Sequence, residues 1–297
     1  MNTPATNRDA TWTIGRLLQW TTEHLAKKGA DSPRLDAEVL LAKARGCTRV
    51  DLYTAFEEVA DAELRASFRE LVRRRLAGTP VAYLVGQREF YSLSFEVTPA
   101  VLIPRPETEH VVLRLLELAN PDSTGPAPRV LDLGTGSGVL AVCAAKYLPK
   151  AEVVAVDCSR EALEVAQRNV ERHQVEDCVR LIQSDWFESL QEEPPFDFIV
   201  SNPPYVSEQE FAELPVDVRE HEPAVALVSD EDGLGATRRI IDASPAHLKP
   251  GGWLILETSP MLADRVAERF RQSECFDREE IGRDLGRRQR VVSGRRA

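Results

Sequence analysis

Three short stretches of the 297-residue chain combine residue types and spacings that could do chemistry. The first is Asp132-Leu133-Gly134-Thr135-Gly136-Ser137-Gly138, which follows an apolar run and precedes a helical pattern. Its glycines remove the side chains that would keep a ligand away from the backbone and from the start of the next helix. The second is Asp157, at the end of the next apolar run and 19 residues after Gly138. An acid at that place accepts hydrogen bonds from ribose hydroxyls. The third is Ser201-Asn202-Pro203-Pro204-Tyr205, directly after the apolar run Phe196–Val200. Two prolines stop a strand because neither can donate a ladder hydrogen bond. Asn202 therefore stands at a strand's carboxyl end in a stiff turn, with Tyr205 just beyond. Each stretch also has a blander reading: a packing turn, an aspartate capping a helix that Ser159 could cap as well, and a turn without a chemical role.

The elements that must position these residues are legible from residue 129 onward. Strand patterns at 129–134, 152–159, 179–187, 196–201, 252–258 and 289–294 are separated by helical patterns at 138–148, 160–173, 234–247 and 260–273. Such alternation predicts a mostly parallel sheet covered by helices. Ligands bind such sheets outside the carboxyl ends of the strands, where all three stretches lie. Upstream, residues 88–97 alternate around Ser92 and predict a β-hairpin, and a helix is expected to start near Glu107 after Pro104 and Pro106 break the chain. The stretch 120–128 is rich in breakers and reads as a surface loop.

Residues 1–85 have a different character. Ile14, Leu17, Leu18 and Leu25 share one helical face that ends at Gly29, a C-cap signal. A second helix is expected from Ser32 as N-cap and Pro33 at its first position to Gly46, and a third from Asp61 to Gly78. The expected organisation is a helical bundle over 1–85, a β-hairpin linker over 86–104 and an α/β domain over 105–297. Charge divides the same way: residues 1–85 carry +2 and residues 86–297 carry −13, within a total of −11. An acidic main domain argues against sequence-independent DNA binding. The Arg-rich end, 286–297, reads as a solvated tail beyond its strand pattern, and Arg73, Arg74 and Arg75 as a solvated helix face or a partner contact. No run is long and apolar enough for a membrane span, and the N-terminus has no signal-peptide pattern. Five scattered cysteines without a CxxC pair suit reduced thiols in a cytoplasmic protein and argue against zinc.

The glycine spacing alone leaves NAD(P) and another nucleoside cofactor open. G-x-G-x-G preceded by Asp132 resembles the first motif of class I S-adenosylmethionine-dependent methyltransferases. That resemblance implies a Rossmann-like, mostly parallel seven-stranded sheet. It implies S-adenosyl-L-methionine held by Gly134, Thr135, Gly136, Ser137 and Gly138 on its methionine side. Asp157 would then hold the ribose, and Asp185 and Trp186, closing the third strand, would hold the adenine; Trp186 as a plain core aromatic is the competing reading. Asn202-Pro203-Pro204-Tyr205 resembles the signature of enzymes that methylate planar nitrogens, with Asn202 next to the cofactor. Its implied roles are an Asn202 oxygen and a Pro203 carbonyl accepting the two N–H groups of the target, pre-aimed by Pro203 and Pro204, and Tyr205 packing on its face.

The resemblance extends over most of the chain. Residues 78–109, "VLDLGTGSG", "SNPPYVS", "REHEPAVAL" and "RDLGRRQRVV" are similar in order and spacing to the HemK/PrmC family of protein-(glutamine) methyltransferases. Membership implies methylation of the glutamine amide nitrogen in the Gly-Gly-Gln motif of peptide chain release factors, with residues 1–85 holding that partner. One departure is Ser259, where many relatives have glycine. Arg105, Glu107 and Glu109 could line the mouth of the cofactor pocket or pair with one another, and His221 reads as structural. The main rival is a DNA adenine-N6 methyltransferase, which can share the Asn-Pro-Pro-Tyr turn but would need a basic face and a base-flipping segment. A non-catalytic binding module that kept the fold, and a dehydrogenase, are weaker rivals.

Overall fold

The computed structural model describes residues 11–120, 125–230 and 232–297. Part of the loop expected over 120–128 and the first ten residues of the expected bundle lie outside them. The chain divides into two units, residues 1–86 and 87–297.

The first unit is helical: α1 (Ile14–Lys27), α2 (Pro33–Arg45), α3 (Arg49–Thr54), α4 (Ala62–Leu76) and α5 (Val81–Val85). Thr13 starts α1 by accepting the Arg16 N–H, and Asp61 starts α4 by accepting the Leu64 N–H, so each satisfies a donor that a helix start leaves orphaned. Ser32 precedes α2 as expected, but its side chain makes no capping bond; Pro33 at the first position and left-handed Gly46 at the end set the boundaries instead. The apolar stripes meet in one core that includes Ile14, Leu18, Leu40, Leu41, Leu52 and Phe68. The arginine run is not a uniformly solvated face. Arg75 turns inward and its Nε donates to Asp36 at 2.9 Å, whereas Arg73 pairs with exposed Glu70.

The second unit opens with a hairpin, β1 (Gln87–Phe90) and β2 (Leu93–Glu96). It is not a free-standing linker. Phe90 and Phe95 are buried in the same core as Val130, Val153 and Val200. Fully buried Asn169 accepts the Glu96 N–H and donates to the Glu96 and Ser137 carbonyls, tying the hairpin to the glycine turn. A 3₁₀ turn over Pro106–Thr108 leads into α6 (Glu109–Ala119). The strands β3 (Arg129–Leu133), β4 (Glu152–Asp157), β5 (Val179–Gln183), β6 (Phe196–Ser201), β7 (Leu248–Glu257), β8 (Phe276–Arg283) and β9 (Gln289–Arg296) form one sheet in the order β5-β4-β3-β6-β7-β9-β8. The first five are parallel to their neighbours, while β9 runs antiparallel between β7 and β8. The sheet is flanked by α7 (Val139–Tyr147), α8 (Arg160–Arg172), α11 (Gly235–Ala243) and α12 (Ala263–Gln272); the short α9 (Glu208–Glu213) and α10 (Val216–His221) follow β6.

The strand missing from the sequence reading is β8. Its residues, FDREEIGR, are mostly polar because it is an edge strand, where charges discourage pairing with another chain. The Arg-rich end is not a tail: β9 carries Gln289 to Arg296 through the sheet, and Arg295 forms a two-bond pair with Asp277 across to β8. Ser259 begins a turn whose carbonyl accepts the Leu262 N–H, and its φ is not positive, so nothing there demands glycine.

Candidate active site

Successive crossovers from β3 run to β4 and β5 on one side, then return to β6 on the other, so the chain switches direction between the carboxyl ends of β3 and β6. Open α/β sheets bind ligands at such a point. A cavity of about 460 Å³ lies at these strand ends, a size suited to a small-molecule ligand. Gly134 to Ser137 follow β3, Asp157 ends β4, Ser184 to Trp186 follow β5 and Asn202 and Pro204 follow β6; all line it.

The glycine turn is shaped by backbone conformation. Gly134, Gly136 and Gly138 have φ of +72°, +54° and +82°, a region that costs other residues free energy. A Cβ on Gly136 would meet nothing within 4 Å, whereas one on Gly138 would press on Ala166 at 3.3 Å. Gly138 thus serves helix packing, and Gly136 leaves room for a ligand. Beneath the turn, fully buried Asp132 accepts the Thr135 hydroxyl at 2.6 Å and the Ala141 N–H at 3.1 Å. Burial pushes its carboxyl up to about 7, against those hydrogen bonds.

Asp157 both orders the local backbone and borders the cavity. It accepts the Gly136 N–H and the Ser159 N–H, each at 2.9 Å, fixing the glycine turn and the approach to α8, while Ser159 caps that helix. Burial raises its carboxyl above the usual range. It also faces the cavity, and a carboxylate has more lone pairs than two N–H donors use. Trp186, at a left-handed φ of +51°, similarly packs on the core and lines the cavity beside Gly134. Asp185 lines it too and accepts from Arg239 at 3.3 Å.

Across the crevice, the Asn202 amide nitrogen donates to the buried Thr108 hydroxyl oxygen at 3.2 Å. That bond fixes the side chain with its Oδ1 as the available acceptor. The Ser201 hydroxyl donates to the Leu133 carbonyl at 2.7 Å, locking the end of β6 to the end of β3. Pro203 is buried, and neither it nor Tyr205 lines the cavity. The Tyr205 hydroxyl instead donates to Glu257 at 3.3 Å, and burial beside that carboxyl pushes its pKa far up.

Sequence reading missed Thr108, Glu222 and Glu257. Glu222, buried, accepts the Ile103 N–H and pairs with Arg105 at 2.5 Å, so it pins the segment before Thr108. Arg105 therefore does both things considered for it: it lines the cavity and it pairs, though with Glu222. Glu107 pairs with Arg290 and Glu109 accepts the Tyr91 N–H; neither they nor His221 lines the cavity. Glu222 lies in the "REHEP" stretch, which was a signal, but nothing in one sequence ties it to residues more than a hundred positions upstream.

These residues fit S-adenosyl-L-methionine. The open space at Gly136 is a cradle that any side chain would fill. The first residues of α7, Val139 and Leu140, line the cavity where helix N–H groups favour a carboxylate. Asp157 suits ribose hydroxyls, and Trp186 with Asp185 suits an aromatic base bearing an amine.

Comparison with known proteins agrees. The family described as the PrmC N-terminal domain matches residues 16–86, and that of the methyltransferase small domain matches residues 113–217. The release factor glutamine methyltransferase of Rhodopirellula baltica is 50% identical over 293 residues, 98% of this chain and 99% of the relative. That of Geobacter sulfurreducens is 42% identical over the same shares. Among solved structures, a methyltransferase from Pyrococcus furiosus superposes with a TM-score of 0.50 at 21% identity, covering 77% of this chain and 98% of its own. The catalytic domain of hMettl16 gives 0.57 at 17% identity, covering 76% and 80%. The fold is thus that of the class I S-adenosylmethionine-dependent methyltransferases, and the chain belongs to the release factor glutamine methyltransferase family.

Proposed function

We propose that the protein transfers a methyl group from S-adenosyl-L-methionine to the side-chain amide nitrogen of the glutamine in the Gly-Gly-Gln motif of peptide chain release factors. The observation that carries this reading is the Asn202 amide, clamped by Thr108 at the end of β6, across the switch crevice from the open turn at Gly136. The cofactor supplies an electrophilic methyl group on a cationic sulfonium. An amide nitrogen is a poor nucleophile because its lone pair is delocalised. Asn202 Oδ1 accepts one of its N–H groups and the Pro203 carbonyl accepts the other, which orients the nitrogen and localises the pair. The ordering is done during folding, by the prolines and by Thr108. Tyr205, outside the cavity lining and bonded to Glu257, supports the turn from behind. No base is needed before attack, because the proton leaves only after the nitrogen becomes cationic.

The DNA adenine reading is not favoured: residues 86–297 carry −13, which opposes a phosphate backbone. We assign partner binding to the helical unit, since its charge is mildly positive and it carries no chemical motif. The cytoplasm is the compartment that suits a translation-factor substrate and free thiols; among the described residues no helix is long and apolar enough to cross a membrane. Mass spectrometry of purified release factor incubated with the protein and S-adenosyl-L-methionine tests the reading. One added methyl on the Gly-Gly-Gln glutamine is expected; an unmodified glutamine would overturn it.

A further inference from the structure

Glu257 ends β7 beside Asn202, because Ser201 pairs with Leu256 in the parallel register. Its side chain is 1% exposed. It lies outside the cavity lining, yet hydroxyls from two different elements act on it. Tyr205 donates to Oε1 at 3.3 Å. The Thr108 side chain lies close enough to favour the ionised carboxyl, and Oε2 has no hydrogen-bond partner among the described residues. Among the described residues no cation closes on it as Arg105 closes on Glu222; Arg290 is nearby, but binds Asp284 and Glu107.

The hydroxyl of Thr108 links this carboxyl to Asn202. Its oxygen already accepts the Asn202 N–H, so its hydrogen must go elsewhere. An ionised carboxylate can only accept, which points the Thr108 hydrogen at Glu257 and keeps the Asn202 nitrogen turned toward Thr108. A protonated Glu257 has a hydrogen to donate. Placed on the Thr108 oxygen, it turns the Thr108 hydrogen toward Asn202 and favours the flipped amide, with Oδ1 bound to Thr108 and the NH₂ group facing the target. An NH₂ group facing another N–H cannot accept it.

We propose that Glu257 is a positioning residue for methyl transfer, which sets, through Thr108, the direction in which Asn202 presents its acceptor. The ionised form is the competent one. Burial pushes the Glu257 carboxyl up to about 7, and Glu107 pushes the same way, while Thr108, Tyr205 and Arg290 pull it down. Arg105 and Glu107 also face Tyr205. The switch therefore falls near neutral pH, and single-turnover rate rises as pH increases through that region. This rests on the proposed reaction at the Asn202 turn.

The experiment is single-turnover methylation of purified release factor at saturating S-adenosyl-L-methionine from pH 5.5 to 9. Wild type, Glu257→Gln and Thr108→Val are compared, with cofactor affinity by calorimetry and a thermal melt for each. Asp132, with a carboxyl also near 7, is intact in all three, so its titration persists and only the difference belongs to Glu257. Glu257→Gln cannot ionise. It is expected to lose the pH-dependent step and to run about tenfold below wild type at pH 8, with cofactor affinity unchanged and a cooperative melt that shows the variant folded. Thr108→Val breaks the link to Asn202 and should lose the same step even if Glu257→Gln fails to fold. A wild-type rate and pH profile in either variant would overturn the inference. A wild-type protein that leaves the release factor unmodified at every pH would instead overturn the reading on which it rests.

Discussion

Glu38 in the helical unit and Glu257 in the sheet unit are both buried, at 3% and 1% exposure, and their carboxyls move in opposite directions. Glu38 is lowered to about 2 and Glu257 is raised to about 7. Burial raises both; the donors decide the outcome. Glu38 receives Arg34, the Tyr53 hydroxyl and, at 2.6 Å, the Arg49 guanidinium. Glu257 receives one full hydrogen bond, from a neutral phenol. Where a buried charge only holds helices together, the fold surrounds it with cations. Where it borders the proposed target site, the fold leaves it under-partnered and poised to titrate. Asp157 belongs with Glu257: it has backbone donors, no cation among the described residues, and a raised pKa.

The comparison breaks first at Asn202, the end of the Glu257 array. Asn202→Ala should lower the single-turnover rate at least about a hundredfold, since misplacing an attacking atom by about 1 Å costs that much, and should leave the melt unchanged. A near wild-type rate in the folded variant would show that the array ends on nothing chemical. Asp157→Ala should weaken S-adenosyl-L-methionine by about 1.5–3 kcal/mol, the range for charge-assisted hydrogen bonds. Calorimetry measures it, and Gly136→Val should lose binding by filling the cradle at a strained φ of +54°. Equal affinity in either variant would move the cofactor elsewhere.

On the structural side, Glu38→Ala should cost the helical unit about 1–2 kcal/mol. This is below the usual figure for a broken buried pair, because Arg34 and Arg49 are half exposed and can turn to water. Hydrogen exchange of α2 in the full chain reads it, and methylation chemistry should not change. The pH signs also differ. Glu38 is depressed, so its contribution is present above about 4.5 and is lost as pH falls through about 2. Glu257 is raised, so its effect runs the other way: stability is highest below about 4.5 and falls as pH rises through about 7. Glu38→Gln and Glu257→Gln should flatten opposite slopes in the pH dependence of the melt. The smallest effect is Tyr205→Phe, which keeps the ring but removes the donor to Glu257. The pH step in rate should shift upward, because the Tyr205 hydroxyl favours the ionised carboxyl, while the rate at pH 9 stays within about threefold of wild type. No shift would mean that Tyr205 does not report on Glu257.

The parts readable from the chain were those written in local pattern. Short apolar runs gave the core strands β3, β4 and β6, which are buried on both faces and so are near-continuously hydrophobic. Strand β8 was illegible because an edge strand exposes charge; the closing strand was legible over 289–294, but the arginines around it were misread as a tail because a paired terminal strand and a solvated tail can share composition. The glycine turn and Asn202 were legible because glycine and proline constrain the backbone wherever they stand. Thr108 and Glu222 were not, because a threonine in a 3₁₀ turn and a glutamate in a loop acquire meaning only from what folds against them.

Sequence alone determined the backbone of this site: the left-handed turns at Gly134 and Gly136, the stop at Pro203 and the acid ending β4 follow from residue type and strand order. Tertiary structure decided the side-chain states. Which end of the Asn202 amide faces the crevice, whether Glu38 or Glu257 holds its proton near neutral pH, and whether Arg75 meets water or Asp36 depend on donors supplied from distant positions. Local sterics act over a few residues, whereas desolvation and hydrogen-bond partners are assigned only when separate elements pack.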